Sequence, residues 1–494
     1  MNLIDQWTTE QRYLPYHKWE SDYVKHLLDT VNQSKWRTTF HIQPPSGLLN
    51  DPNGFSFYDG KWHLFYQAYP MGPVHGLKSW YHLTSTNLVD WKDIGLALIP
   101  DSKFDSHGVY SGSALPYNDK LFLAYTGNVR DANWNRQSFQ LGALMDQNNQ
   151  IEKLDQPLIL PSNDYTEHFR DPQVFSYNNH YFLLLGAQDQ QLKGKILTYQ
   201  SDDLHNWNLL GELKFTKEDM GFMIECPNLV FTNNQVVLLF CPQGISHDKL
   251  DYQNIYPNTY VIGDNFNPTN NSLTNPSQLK NLDEGFDVYA TQAFNAPDGR
   301  VLASSWIGLP EISYPSDKDG WAHLLSTVKE LTIEQNQLIQ RPVVEMKELR
   351  ETKRTIEGTL SAQVATLAKN MEHHYELKLT IDKATTGCLT LFATDKNSGL
   401  MLHFDTQNGT MSVNRKNAGL SFAEDYGYQR DFTIDKGSLN LQIFVDVSVV
   451  EIFINDGKQV ATTRVFPNET NSDILLTGQD GHFSGNIWTL RSMK

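Results

Sequence analysis

Between residues 54 and 308 the chain repeats one arrangement five times: an apolar run, a tight polar turn and a second apolar run. The copies are GFSFYDGKWHLFYQ (54–67), GSALPYNDKLFLAYTG (112–127), PQVFSYNNHYFLLLGA (172–187), PNLVFTNNQVVLLFCPQ (227–243) and TQAFNAPDGRVLASSWIG (291–308). Their turns are Asp59-Gly60, Asn118-Asp119, Asn178-Asn179, Asn233-Asn234 and Asp298-Gly299. Such pairs supply the left-handed backbone that two-residue hairpins need. The turns begin at residues 59, 118, 178, 233 and 298, and a second motif recurs out of phase, Leu88, Trp91 and Gly95 being matched in spacing by Leu204, Trp207 and Gly211. Each copy of that motif adds a further strand to its unit. Units of about sixty residues with roughly four strands each are the mark of a β-propeller, so an all-β, five-bladed propeller is expected over 37–344.

Residues 356–494 lack this period and alternate instead, as in Leu439-Asn440-Leu441-Gln442-Ile443 and Val450-Glu451-Ile452-Phe453-Ile454. Half-buried antiparallel strands of this kind predict a C-terminal β-sandwich, with the charged stretch 345–355 as a linker. An N-terminal extension, 1–36, is expected to be partly helical, because Tyr23, Leu27, Leu28 and Val31 fall at helical spacing within 17–32.

With 40 Lys+Arg against 57 Asp+Glu the net charge is −17, which excludes nucleic acid as an expected partner. No apolar run is long enough to span a membrane, and the start Met1-Asn2-Leu3-Ile4-Asp5-Gln6 has no signal-peptide pattern. Cys226, Cys241 and Cys388 are odd in number and widely spaced, which suits a reducing compartment and no zinc site. A cytoplasmic location is therefore expected.

Counting back from the turns sets Asp51, Asp171 and Glu225 at near-equivalent places, the start of the first strand in units one, three and four. Units two and five offer Tyr110-Ser111 and Tyr289-Ala290 there. First strands line the channel of a propeller, so three carboxylates are expected to converge at one end of it. Like charges brought together raise the pKa of at least one member, a strain tolerated mainly where chemistry uses it. Calcium or magnesium is one use, but Asp51-Pro52-Asn53-Gly54 lacks calcium-loop spacing and Arg170 already offsets Asp171. Turn formation at strand entries is another, disfavoured by the recurrence of all three acids in one repeat array. A pair of carboxylates with aromatic platforms is the equipment of glycoside hydrolysis. Tyr66, Tyr69, Trp80, Tyr110, Trp306 and Trp321 are the aromatic candidates, most of them expected in the core; Trp91 and Trp207 are structural.

At these residues the chain resembles glycoside hydrolase family 32, which holds β-fructofuranosidases, invertases and sucrose-6-phosphate hydrolases. The motifs are Asn50-Asp51-Pro52-Asn53-Gly54, Phe65-Tyr66-Gln67, Tyr110-Ser111-Gly112-Ser113, Phe169-Arg170-Asp171-Pro172 and Glu225-Cys226-Pro227. Leu48-Leu49 stands where the family often has Trp-Met, and the segments 73–80, 308–312 and 319–323 resemble the intracellular, phosphosugar-cleaving branch. The resemblance implies Asp51 as nucleophile, Glu225 as acid/base and Asp171 as transition-state stabiliser. It also implies Asn50, Gln67, Tyr110, Ser111, Arg170 and Trp306 as fructose-holding residues, with His75 where relatives often place a sugar-contacting Trp. The implied reaction is retaining cleavage of the fructosyl bond of sucrose 6-phosphate or sucrose through a covalent fructosyl-enzyme, with no metal or organic cofactor. Three alternatives stay open here: a β-fructofuranosidase for short fructooligosaccharides, an inverting five-bladed glycosidase and a non-catalytic sugar-binding propeller. Lys78, Arg130, Arg136 and Lys193 are the basic residues available for a phosphate.

Overall fold

In the computed structural model, which describes residues 2–395 and 397–494, the chain is built almost wholly from antiparallel strands. Each of the five repeats opens a sheet of its own. The first strands are Gly47–Tyr58, Val109–Tyr117, Tyr165–Tyr177, Met223–Thr232 and Val288–Asn295. Each is followed by a hairpin partner and two further strands. The turn chemistry explains the hairpins: Asp59 and Gly60 take φ 46° and 72°, Asn178 and Asn179 49° and 63°, and Asn233 and Asn234 51° and 60°. The Leu-Trp-Gly motif is a repeated corner before the fourth strand. Leu88 and Leu204 both take φ 63°, and their N–H groups donate to the hydroxyls of Ser85 and Ser201 at 2.9 Å. The indole N–H groups of Trp91 and Trp207 then donate to the Leu88 and Leu204 carbonyls at 3.1 and 3.0 Å.

Buried side chains tie each first strand to the next. Asn53 accepts from the N–H of Gly112 at 2.8 Å, and the Ser113 hydroxyl donates to the Pro172 carbonyl at 2.9 Å. Gln173 brackets Leu229, donating to its carbonyl at 3.1 Å and accepting from its N–H at 3.0 Å. Asn228 accepts from Ala293 N–H at 3.3 Å. Gln292 of the fifth sheet reaches both the first and the second, accepting from Phe55 N–H and donating to the Gly112 carbonyl, both at 2.7 Å. Backbone groups on these five strands that would otherwise be orphaned between sheets are thereby satisfied. Trp321–Ala322, late in the sequence, also pairs in parallel with Gly47–Leu48.

The C-terminal part is a β-sandwich of two six-stranded sheets. Leu377, Ile443 and Ile452 of one sheet and Leu389, Leu402 and Leu476 of the other bury fully in its core. The expected linker 345–355 is shorter than the sequence reading put it. Val344–Leu349 is a short 3-10 helix, and a strand begins at Arg350, running to Leu360. The reason is position: Arg350–Leu360 is an edge strand, where exposed charged residues such as Glu351, Lys353 and Arg354 are tolerated and protective. The N-terminal helix spans Ser21–Asn32 and buries Tyr23, Leu27 and Val31; a shorter one, Thr9–Arg12, is closed by a Thr8/Gln11 capping box.

Candidate active site

All five first strands carry a β-bulge at the same place. Between paired residues Leu49 and Pro52, Val109 and Gly112, Arg170 and Gln173, Glu225 and Asn228, and Tyr289 and Gln292, each first strand holds one residue more than its partner. A bulge bends its strand and re-aims the side chains on it. Registered this way, the three acids occupy three successive steps of the bulge: Glu225 precedes it, Asp171 is its first residue and Asp51 its second. The near-equivalence read from the repeats thus resolves into a staggered set, which brings three carboxylates from three sheets to one spot. Asp171, Cys226 and Ala290, all at the first bulge step, hold φ of 67°, 50° and 48°. Each costs about 1–3 kcal/mol as a non-glycine residue in the left-handed region.

Asp51 accepts a hydrogen bond from the Ser111 hydroxyl on one oxygen and from Asn50 Nδ2, at 3.0 Å, on the other. Lys78, buried, bonds through Nζ to Asn50 Oδ1, and Asn50 Nδ2 also donates to Gln67 Oε1 at 3.1 Å. Gln67 in turn donates to Ser111. Asp171 Oδ2 accepts from the Cys226 N–H at 3.0 Å. Arg170 grips Glu225 Oε1 through Nε and Nη2 at 3.0 and 2.7 Å, while Glu225 Oε2 accepts from Gln243 and Tyr289, both at 2.7 Å. Burial pushes the Asp51 carboxyl up, with Glu225 adding to the effect and Ser111, Asn50 and cationic Lys78 opposing it. Burial likewise lifts Asp171 to about 7, against Arg170 and with Glu225 and Asp51, and lowers Lys78 to about 7 against the pull of Asp51.

These groups line one cavity of about 570 Å³. Asn50, Asp51, Gln67, His75, Tyr110, Arg170, Asp171, Glu225 and Trp306 all face it; Ser111 stands behind Asp51 and acts on it. His75 is exposed within it, edge-on to Trp306 at 6.3 Å. Of the aromatic candidates only Tyr110 and Trp306 reach the cavity; Tyr66, Tyr69, Trp80 and Trp321 are fully buried in the core. Asp51, Asp171 and Cys226 place a ligand atom each within 4.8 Å of one another. Their facing oxygens already accept from Ser111 and Cys226, and Lys78 and Arg170 supply positive charge beside them. That donor set suits sugar hydroxyls better than a cation.

A family model for the glycosyl hydrolase family 32 N-terminal domain matches residues 41–342, and one for the family's C-terminal domain matches 345–489. The chain belongs to glycosyl hydrolase family 32. Within the family it is 49% identical over 488 residues to a sucrose-6-phosphate hydrolase of Pediococcus pentosaceus, covering 98% of this chain and 97% of that protein. A sucrose-6-phosphate hydrolase of Bacillus subtilis is 34% identical over 469 residues, covering 93% and 95%. The solved structure of sucrose-6-phosphate hydrolase from Lactobacillus gasseri superposes with TM-score 0.95 at 46% identity, covering 99% of this chain and 100% of that one. A family 32 β-fructofuranosidase of Bombyx mori, solved in complex with sucrose, superposes with TM-score 0.81 at 28% identity, covering 96% and 98%.

Several cavity residues of this family 32 chain escaped the sequence reading. Gln243 lies on the hairpin partner of the Glu225 strand. Tyr289, set beside the acids by the repeats but given no role there, pairs with Trp306 just ahead of its bulge, the step that Arg170 and Glu225 occupy in their sheets. Trp7, Thr9, Arg12 and Tyr13 come from the N-terminal extension, outside the span of the family model, and no repeat announces them. Among the basic candidates, Lys78 serves Asn50 on the acid side and Arg136 lines the cavity. Lys193 instead pairs with Asp219 on the surface, and Arg130 packs over Trp134 at 5.6 Å.

Proposed function

We infer that this chain is a retaining fructosyl hydrolase acting on sucrose 6-phosphate. The observation that carries the reading is the staggered meeting of Asp51, Asp171 and Glu225 in one cavity of a family 32 chain, whose relatives include sucrose-6-phosphate hydrolases. The five sheets are then the blades of a five-bladed β-propeller, taken as residues 37–344, with the sandwich following a connector that ends at Leu349.

Asp51, whose ionised form Lys78 and two neutral donors favour against burial, attacks C2 of the fructosyl unit. Glu225 Oε2 carries the proton for the departing oxygen: the Tyr289 hydroxyl beside it can rotate to accept that proton's hydrogen bond, while Arg170 fixes the other oxygen. Asp171 accepts from fructose hydroxyls as positive charge develops on the ring, and Asn50, Gln67, Tyr110, Arg170, His75 and Trp306 hold the sugar. Glu225, now ionised, takes a proton from water, which attacks the same face and frees fructose with retained configuration. Besides substrate and water, these steps employ only groups of the chain itself. A doubly charged sugar phosphate does not cross a membrane unaided, so the substrate places the enzyme in the cytoplasm.

A remote charge-assisted contact to the phosphate contributes about 1.5–3 kcal/mol, or roughly ten- to a hundredfold in kcat/KM. Sucrose 6-phosphate should accordingly exceed both sucrose and 1-kestose by that factor at low ionic strength, with the margin shrinking as salt rises. Equal turnover of the three sugars would make this a β-fructofuranosidase for neutral substrates.

A further inference from the structure

We propose that Arg12, from the N-terminal extension, and Arg136, from the second sheet, form the seat for the 6-phosphate of the leaving glucose. The proposal rests on the phosphosugar reading above and names the residues that would make it true. Four basic side chains line the cavity: Arg12, Lys78, Arg136 and Arg170. Two are committed at its inner end, Lys78 to Asn50 and Arg170 to Glu225. Arg12 and Arg136 make no ion pair among the described residues, and the Nε of Arg136 is buried without an acceptor. In a chain of net charge −17, two unpaired guanidinium groups lining one cavity need an explanation, and a dianionic ligand supplies one.

Burial sets the direction of the substrate. The acid end is closed, with Asn50, Gln67 and Asp171 at 4%, 5% and 6% exposure, whereas Trp134 at the rim is 42% exposed. The fructosyl unit, whose C2 must reach Asp51, therefore fills the inner end, and the glucose points toward exposed Trp134, against which Tyr13 packs, with Arg12 next to Tyr13 in sequence and Arg136 in the same lining. That outer wall is built to hold still. Tyr13 packs edge-on to Trp134 at 5.1 Å, and Arg136 stacks over Tyr110 at 5.8 Å. The Arg12 carbonyl accepts from Leu77 N–H at 2.7 Å. The extension also lies so close that a Cβ on Gly76 would stand 2.6 Å from the Arg12 carbonyl, and one on Gly72 2.0 Å from the Trp7 ring. Guanidinium groups match phosphate oxygens in paired hydrogen bonds, which a lysine cannot reproduce.

The test is the ratio of kcat/KM for sucrose 6-phosphate to that for sucrose, measured in the intact enzyme and in Arg12→Gln and Arg136→Gln. The ratio is expected to fall about tenfold or more in each variant, with the discrimination lying mainly in KM. Binding of glucose 6-phosphate, read by calorimetry against glucose, should weaken in step, and this second readout holds even if a variant turns over slowly. An unaltered ratio and unaltered glucose 6-phosphate affinity in both folded variants would overturn the assignment of these two arginines. A ratio near one in the unsubstituted enzyme would instead overturn the phosphosugar reading on which it rests.

Discussion

Asp51→Asn is expected to lower kcat for sucrose 6-phosphate by about four to six orders of magnitude, the range seen when a covalent nucleophile is lost from a preorganised site. The amide keeps the shape of the side chain and can still accept from Ser111, so the inner wall of Asn50, Gln67 and Lys78 has no reason to collapse. It cannot form the fructosyl ester. The same substitution removes one negative charge from a cluster in which burial already raises the Asp51 and Asp171 carboxyls. Melting temperature should therefore hold or rise, as when strain at a working site is released. Kinetics and calorimetry on the same preparation decide the matter. Activity lost only in proportion to unfolded protein would mean that Asp51 is structural.

His41→Leu is expected to destabilise the junction between the five-sheet part and the sandwich by about 3–5 kcal/mol, the cost of stranding a buried ion pair. His41 Nδ1 meets Asp446 at 2.9 Å and Nε2 meets Glu451 at 2.9 Å, with all three side chains fully buried. Asp446 also accepts from the N–H groups of Thr39, Phe40 and His41, and Glu451 from Thr327. Burial alone would lower the imidazole, but the bonds and charges of the two carboxylates win and raise it to about 9. A histidine raised from its ordinary 6.5 to about 9 contributes stability that is complete below pH 6.5 and lost as pH climbs through about 9. Asp446 and Glu451 are opposed by burial but held below their usual range, chiefly by His41, so their contribution is present at neutral pH and lost in acid. Melting temperature of the intact protein should thus decline between about pH 6.5 and 9. That decline should be much flatter in His41→Leu; the same slope in both proteins would mean that His41 is not the group whose titration sets it.

The five-sheet architecture was legible because two local rules repeat with it. Polar turn pairs mark each hairpin, and Leu88-Trp91-Gly95 and its copy mark the corner before a fourth strand. The acids were legible for the same reason, since a repeat fixes which strand each begins. What spacing could not show was the bulge. Every first strand carries one extra residue, and Asp51, Asp171 and Glu225 stand at different steps of it, an offset that only strand pairing reveals. Aromatic type was a poor guide, because Trp80 and Trp321 satisfy the core as well as a sugar: Trp80 donates to the Tyr110 carbonyl and Trp321 to Ser34. The linker was misjudged because charged residues read as a connector when they also suit an exposed edge strand. Arg12 was invisible for a different reason: it is far in sequence from every repeat, and only docking of the extension against Tyr69, Gly72 and Gly76 carries it to the cavity.

Double displacement at fructose C2, with Asp51 and Glu225 on opposite sides of the broken bond, is what the proposed mechanism requires. Carrying out the hydrolysis of sucrose 6-phosphate in aqueous methanol tests it most directly, because the methyl fructoside formed keeps the configuration set in the active site. Methyl β-D-fructofuranoside alone is expected, the product of two inversions. Methyl α-D-fructofuranoside would mean a single displacement by solvent and would contradict the assignment of Asp51 as a covalent nucleophile.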